Sequence, residues 1–330
     1  MINVAINGFG RIGRRVFRLL IDNPNIEVVA INDLADSKTL SHLLKYDSIH
    51  GVLTNTISYD SDHIIIDNKK VRLQNHNHPK LINWKSHNVD IVIEASGKFK
   101  SINDLNYHVK NGASRVILSL PPEDDSINTI VIGVNDHILD NKDIIISNAS
   151  CTTNNAAPMI DVINNLCGIK QAYITTIHSY TTDQSLHDQP HRDLRRARAA
   201  GQSIVPTTTG AAKALTKIFP DLSKVIGGCG IRVPVANGSL TDITFNVKEN
   251  VTVSEVNNAF KEASNNKYKD ILEYTNDPIV SIDIVGNPHS CIFDSQMTSV
   301  IGNMVKIIGW YDNETGYSSR IIDLLSKLKK

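Results

Sequence analysis

Residues 2–14 read Ile2-Asn3-Val4-Ala5-Ile6-Asn7-Gly8-Phe9-Gly10-Arg11-Ile12-Gly13-Arg14. The apolar, β-branched start predicts a strand over 2–6. The glycines follow at once, and Arg14, Val16, Phe17, Leu19 and Leu20 then repeat at helical spacing. Asp22-Asn23-Pro24 stops that helix, and residues 27–31 form a second strand candidate that ends at Asn32-Asp33. A lone G-x-G-x-x-G is more often a plain turn. Set between a strand and a helix, with an acid after the next strand, it is a dinucleotide-binding fingerprint. Gly8 makes the tight turn, Gly10 lets backbone approach a pyrophosphate, and Gly13 lets the helix pack on the strand. The helix N-terminus receives the phosphates. Asp33 lies where a carboxylate accepts from the adenosine ribose hydroxyls, and its charge repels a 2′-phosphate, which favours NAD over NADP. Arg11 and Lys38 are the nearby cations that argue the other way.

Outward from this unit the alternation continues. Residues 90–95, 115–118 and 143–146 are apolar strand candidates, residue 131 begins a weaker one, and Ser101 with Asp104 opens a helix that Gly112 closes. Residues 49–73 alternate in a strand-like way between turn signals and read as hairpins inserted into the nucleotide-binding part. The whole predicts an α/β protein with a doubly wound parallel sheet. Ligands in such sheets bind beyond the carboxyl ends of strands. Ser96, Ser119 and Cys151 all follow strands, so the thiol is expected to face that crevice.

Ser147-Asn148-Ala149-Ser150-Cys151-Thr152-Thr153-Asn154-Asn155 puts Cys151 in the first turn of a helix that runs to about Leu166 and stops at Gly168. Helix N-termini carry partial positive charge and unpaired N–H groups, which favour the nucleophilic thiolate. A buried, inert cysteine fits the same segment. Beyond Gly168, residues 173–177 are strand-like and end at His178-Ser179-Tyr180-Thr181-Thr182-Asp183. A long polar loop follows with the basic run Arg192 to Arg198, and then Thr207-Thr208-Thr209-Gly210-Ala211-Ala212-Lys213 opens another helix. Residues 231–235, 240–247, 279–285 and 305–310 predict a mostly antiparallel second sheet, with a helix at 254–263 and a final amphipathic helix at 315–329.

The 330 residues suit two domains. Lys plus Arg and Asp plus Glu are 34 each, so the net charge is zero. That argues against a dedicated nucleic-acid partner, and the basic run is better read as phosphate recognition or a subunit contact. The four cysteines are scattered without a C-x-x-C, and reduced thiols suit the cytoplasm. No secretory leader and no membrane-spanning run are expected. His76 and His78 lack a cysteine or carboxylate at ligand spacing, so no metal is expected.

Taken together, Asn7–Arg14, Ala30–Asp33, Ser147–Asn154, Thr209–Lys213, Arg232-Val233-Pro234 and Trp310–Glu314 resemble phosphorylating glyceraldehyde-3-phosphate dehydrogenases over nearly the whole chain. The resemblance implies a Rossmann NAD-binding domain over 1–150, with the helix at 315–330 packed back on it. It implies an α+β catalytic domain over 151–314, and a homotetramer in which the loop at 179–203 lies near a neighbour's cofactor. It implies Cys151 as nucleophile and His178 as base. Arg11 and Ile12 present backbone to the pyrophosphate, Asp33 holds the ribose, and Asn77 stands beside the adenine where a basic residue is expected. Ser96 and Ser119 lie by the nicotinamide end, and Asn313 fixes the carboxamide. Thr181, Arg196 and Arg232 hold the phosphate of D-glyceraldehyde 3-phosphate, while Ser150, Thr152, Thr209 and Gly210 hold inorganic phosphate. Erythrose-4-phosphate dehydrogenases share the fingerprint, the Cys and the His, but the Thr209-Gly210 signature points to the phosphorylating reaction. Aspartate-semialdehyde-type dehydrogenases share the logic without these motifs. An NAD- or RNA-binding regulator would need neither Cys151 nor two phosphate regions. The sequence departs from the family at Asn155, where a second cysteine is usual.

Overall fold

The computed structural model describes residues 1–328, and the chain divides into two compact units. Unit 1 comprises Met1–Ile130, Ile138–Ala149 and the C-terminal helix from Ser318 onward. In chain order it contains β1 (Ile2–Asn7), α1 (Arg11–Leu20), β2 (Ile26–Asn32), α2 (Ser37–Lys45), the two-residue hairpin β3 (Tyr46–Asp47) and β4 (Gly51–Val52), β5 (Ile57–Tyr59), β6 (His63–Ile66) and β7 (Lys69–Gln74). Next come β8 (Ile91–Glu94), α3 (Ile102–Lys110), β9 (Arg115–Leu118), β10 (Asn128–Thr129) and β11 (Ile145–Ser147).

Nine strands make one sheet in the order β10-β11-β9-β8-β1-β2-β7-β6-β5. β10 through β7 run parallel, and β6 and β5 close the edge antiparallel. The expected hairpins therefore extend the main sheet, because β7 pairs with β2. Val4, Ala5 and Ile6 of β1 and Ile91 to Ile93 of β8 are covered on both faces, as central parallel strands require. β1 lies between β2 and β8, so the chain reverses its direction of travel across the sheet at β1 and β8. That switch point is where doubly wound sheets leave a crevice.

One expectation for unit 1 is corrected. Residue 131 begins no strand. β10 ends at Thr129, the Asn135 Oδ1 accepts from the Val131 N–H at 2.7 Å, and Gly133 turns at φ +83. A side-chain-stapled turn thus replaces the ladder. The helix α2 was not anticipated, although Asp36, whose side chain accepts from the Thr39 N–H at 2.7 Å, is an ordinary N-cap signal for it.

Unit 2 comprises Val131–His137 and Ser150–Tyr317. It contains α4 (Cys151–Cys167), β12 (Ile169–Ser179), β13 (Val205–Thr207), α5 (Ala211–Ile218), β14 (Ile226–Val233), β15 (Ser239–Val247), α6 (Val253–Asn265), β16 (Leu272–Thr275), β17 (Cys291–Asp294), β18 (Ser299–Ile301), β19 (Met304–Tyr311) and the start of α7 (Thr315–Lys327). Residue 329, the expected end of α7, lies outside the described residues. The sheet order is β13-β14-β12-β15-β19-β17-β16, with β18 on β19, and it is mostly antiparallel. β12 pairs parallel with β14, and β16 with β17.

The strand expected at 279–285 is absent. Pro278 precedes a series of turns, the Asp283 carboxylate accepts from the Val280 N–H at 2.7 Å, and Val280 and Ile282 stand 55% and 72% exposed. The run is apolar but pairs with no strand among the described residues, and β16 and β17 on either side of it take that place in the sheet.

Candidate active site

Strand register assembles the centre of unit 2. In the β12–β14 pairing, His178 lies opposite Arg232. In the β15–β19 pairing, Ser239 lies opposite Tyr311, and Asn313 follows two residues later. α4 supplies Cys151 as its first residue, with Ser150 as N-cap accepting from the Thr153 N–H at 3.2 Å. Ala149, just before it, is held at φ +56, a left-handed conformation that an alanine adopts only at a cost of about 1 kcal/mol.

The Cys151 Sγ lies 3.4 Å from His178 Nε2. The other ring nitrogen, Nδ1, faces two groups with opposite demands. The Ser179 carbonyl is 2.7 Å away and asks for an N–H, whereas Arg232 Nη1 is 2.6 Å away and donates. Arg232 Nη1 also donates to the Ser179 carbonyl at 2.9 Å. Burial pushes the imidazole down to about 3, with Arg232 and Arg196 adding to the effect and the Ser179 carbonyl opposing it. Burial also raises the Cys151 thiol, and Arg232 and the Thr152 N–H oppose this without cancelling it. The expected thiolate-favouring effect of the helix start is thus outweighed by desolvation. In this arrangement both groups are neutral.

Arg232 is itself lowered, first by burial, with Arg196 a further cause. Two guanidiniums that disfavour each other form a site in want of an anion. Arg196 meanwhile donates to Asp183 at 2.5 Å and to Thr207 Oγ1 at 3.0 Å. Thr181 is half-buried in the same loop, and its carbonyl accepts from the Gln184 N–H. Thr209 Oγ1 accepts from the Ala211 N–H at 3.2 Å, and Gly210 is the N-cap of α5. Thr152 differs from the expectation in orientation: its hydroxyl is buried against the Tyr311 hydroxyl at 2.9 Å, which also meets Thr176 Oγ1 at 2.9 Å. Tyr311, whose ring stands edge-on to His178 at 6.0 Å, carried no assigned role in the sequence. Neither did Ser179 or Ser239, whose hydroxyls donate to Asn313 Oδ1 at 2.9 and 3.1 Å. The Gly238 N–H also donates to that oxygen, at 3.3 Å. Asn313 is thereby turned so that its Nδ2 remains to donate.

The glycine fingerprint of unit 1 can be tested against a dinucleotide. Gly8 sits at φ +95, and a Cβ there would meet the Ser96 Cα at 2.4 Å. A Cβ on Gly13 would meet the Gly8 carbonyl oxygen at 2.2 Å, while one on Gly10 meets nothing. Tight turn, open approach and close packing fall on the three glycines as the fingerprint requires. No side chain caps α1, which starts at Arg11 and Ile12, so its N-terminus suits an anion. The Arg11 guanidinium is committed elsewhere: it donates to both Asp47 oxygens at 2.6 and 3.1 Å. Burial disfavours the Asp47 carboxylate, but Arg11 and the His50 and Ile49 N–H groups hold it well below the usual range. One of the two cations that spoke for NADP is therefore spent. Asp33 accepts from the Phe9 N–H at 2.7 Å and the Ala35 N–H at 3.0 Å, which aims the carboxylate at the end of β2. Asn77 is exposed in a loop tied to β2 by Asn32, which accepts from the His76 N–H at 2.9 Å. Ser96 follows β8, and the Ser119 N–H donates to the Glu94 carbonyl at 3.0 Å.

Asn155 is fully buried one turn after Cys151, with Nδ2 donating to the Gly309 and Trp310 carbonyls at 3.3 Å each. With no thiol at this position, mild peroxide is expected to leave Cys151 as a sulfenate or higher oxide. Peptide mapping under non-reducing conditions checks this, and a Cys151-linked intrachain disulfide would contradict it.

Two family models match the chain. The model described as glyceraldehyde 3-phosphate dehydrogenase, NAD binding domain, covers residues 2–102, and the C-terminal domain model covers residues 150–313. Among curated proteins, glyceraldehyde-3-phosphate dehydrogenase 2 of Streptomyces avermitilis is 51% identical over 98% of this chain and 97% of its own length. Glyceraldehyde-3-phosphate dehydrogenase 1 of Bacillus subtilis is 47% identical over 100% of this chain and 98% of its own.

Proposed function

The chain belongs to the glyceraldehyde-3-phosphate dehydrogenase family, and from that premise we propose that it oxidises D-glyceraldehyde 3-phosphate to 1,3-bisphosphoglycerate with NAD and inorganic phosphate. The observation that carries the mechanism is the line Sγ(Cys151)–imidazole(His178)–guanidinium(Arg232).

In this reading the substrate's phosphate is held by Arg232, Arg196 and Thr181. Drawing Arg232 onto an anion removes the competing donor from Nδ1. His178 then keeps its Nδ1–H on the Ser179 carbonyl and turns the Nε2 lone pair to the thiol. Nε2 takes the thiol proton, the thiolate attacks the aldehyde carbon, and the oxyanion is met by the Cys151 N–H and by His178. His178 gives its proton to the oxyanion to form the hemithioacetal hydroxyl; that proton then returns to His178 as the carbon-bound hydrogen leaves with its electron pair as hydride, and a thioester remains on Cys151. Bound NAD would supply the hydride acceptor. Gly8, Gly10 and Gly13, with the Arg11 and Ile12 backbone, hold its pyrophosphate. Asp33 takes the ribose, Asn77 borders the adenine, Ser96 and Ser119 serve the nicotinamide end, and Asn313 donates to the carboxamide. Inorganic phosphate, held by Ser150, Thr209 and Gly210, attacks the thioester carbon. The C–S bond breaks, and the acyl phosphate leaves with Cys151 restored. Thr152 serves that site through its backbone and its hold on Tyr311.

No helix among the described residues is long and apolar enough to cross a membrane. We place the protein in the cytoplasm on its four free cysteines, which suit a reducing compartment. A homotetramer accounts for the exposed apolar side chains of Tyr173, Leu186, Leu194 and Ile204 on unit 2. The reaction is tested by NADH formation from glyceraldehyde 3-phosphate with and without phosphate, with erythrose 4-phosphate in parallel. Turnover is expected to require phosphate and to favour the triose. Phosphate-independent turnover that prefers the tetrose would overturn the assignment.

A further inference from the structure

Glu94 ends β8 at the switch point of unit 1 and is fully buried. Its Oε2 accepts from Asn7 Nδ2 at 2.5 Å and from His108 Nε2 at 3.0 Å. Its Oε1 accepts from the Ser96 N–H at 2.8 Å and the Ser96 hydroxyl at 2.5 Å. The ring of His108 is fixed by its other side, because Trp84 Nε1, a group that can only donate, meets His108 Nδ1 at 2.9 Å. Nδ1 must then carry the lone pair and Nε2 the single proton, so His108 is a neutral donor. Asn7 is fixed likewise, since its Oδ1 accepts from Asn32 Nδ2 at 2.7 Å. Glu94 therefore faces four donors, all of them neutral. Among the described residues no lysine or arginine pairs with it.

Four N–H and O–H donors on its two oxygens are the set that an acceptor-only carboxylate takes, and none of them brings a positive charge. Two of its partners, Asn7 and Ser96, flank the approach to Gly8, where backbone passes within 2.4 Å of a would-be Cβ. Through Asn7 and Asn32 the same network reaches the loop that bears Asn77. The topology says which part of a dinucleotide lies nearest. The adenosine half goes to the β2 side, where Asp33 stands, so the other half lies over β8 and β9. That half is a pyridinium cation in NAD and is neutral in NADH.

We propose that Glu94 is the fixed countercharge of the cofactor crevice: it holds the Gly8 and Ser96 turns and makes the protein bind the oxidised dinucleotide in preference to the reduced one. This rests on the cofactor placement given above. It assigns Glu94 as a positioning residue that acts on the cofactor's charge.

The test is equilibrium binding of NAD, NADH and ADP-ribose, which lacks the nicotinamide, to the full chain and to Glu94→Gln. Gln removes the charge but also aims an NH₂ at donors, so a general loosening would weaken all three ligands alike. The charge effect is read from the ratio. NAD is expected to lose roughly tenfold more affinity than NADH or ADP-ribose, the scale of one unit charge acting across a partly screened site. His108→Gln, a neutral donor for a neutral donor, is expected to leave the ratio unchanged. Should Glu94→Gln not fold, Glu94→Asp and Glu94→Asn make the same comparison, with Asp keeping the NAD preference and Asn losing it. Equal losses for the three ligands overturn the inference while leaving the cofactor reading intact. A wild-type protein that binds none of the three overturns both.

Discussion

Replacing Cys151 by serine is expected to lower the rate of NADH formation by about 10⁴- to 10⁶-fold, the loss seen when a covalent nucleophile is removed. Serine differs by one atom and keeps the first position of α4, so the fold has no reason to change. The collapse is chemical. Among the described residues, the base beside the sulfur is an imidazole pushed down to about 3, and it stands 3.4 Å away. Such a base can share in ionising a thiol, but a serine hydroxyl is far too weak an acid for it. Stopped-flow absorbance of NADH and a melting curve on the same preparation check both halves. A variant that retains a tenth of the activity would remove Cys151 from the mechanism. NAD binding to unit 1 is expected to survive, because none of the proposed dinucleotide contacts of that unit involves the sulfur.

His178→Asn is the second large effect. General base catalysis contributes about 10²- to 10⁴-fold, and kcat is expected to fall by that amount. The remaining rate should climb with pH, as hydroxide takes over the proton removal. In the wild type the acid limb of the pH profile should not lie where imidazoles normally titrate. Burial and Arg232 keep His178 neutral down to about 3, and burial raises the thiol above its ordinary value, so the limb belongs to Cys151. The same shift bears on stability. The folded imidazole titrates below its ordinary value of 6.5, so below that value the unfolded chain binds a proton that the folded chain refuses. This contribution to stability is present above about pH 6.5 and is lost as the pH falls toward 3. Chemical denaturation of His178→Asn across that window is expected to show a shallower loss than the wild type. Identical slopes would show that His178 is not held neutral by the fold.

The proposed dinucleotide site was legible because its chemistry is local. One glycine pattern between a strand and a helix names its own geometry, and Gly8, Gly10 and Gly13 occupy the three environments expected of them. The place of Cys151 at a helix start was legible for the same reason, since Ser150 caps that helix. What escaped was set by pairing between distant segments. Nothing near Tyr311 announces that its hydroxyl will bridge Thr152 and Thr176, for the β15–β19 register puts it there. The hold of Arg232 on His178 likewise follows from the parallel pairing of β12 with β14, two strands separated by more than forty residues of loop and helix. The false strand at 279–285 failed in the opposite sense: its apolar residues alternate, but the turns around Pro278 and Gly286 leave it without a partner. The Glu94 network was invisible because Asn7, Trp84, Glu94 and His108 are each ordinary where they stand. Only the sheet brings them together.

In the proposed mechanism, oxidation leaves an acyl group on the Cys151 sulfur. That step is tested most directly by mixing the NAD-loaded protein with excess glyceraldehyde 3-phosphate in phosphate-free buffer, following NADH in the first turnover, and mapping the acid-quenched protein by mass spectrometry. The expected result is a burst of about one NADH per active site, a phosphoglyceryl adduct on the Cys151 peptide, and its discharge when phosphate is added. NADH formation with no adduct on Cys151, or an adduct that phosphate leaves in place, would contradict it.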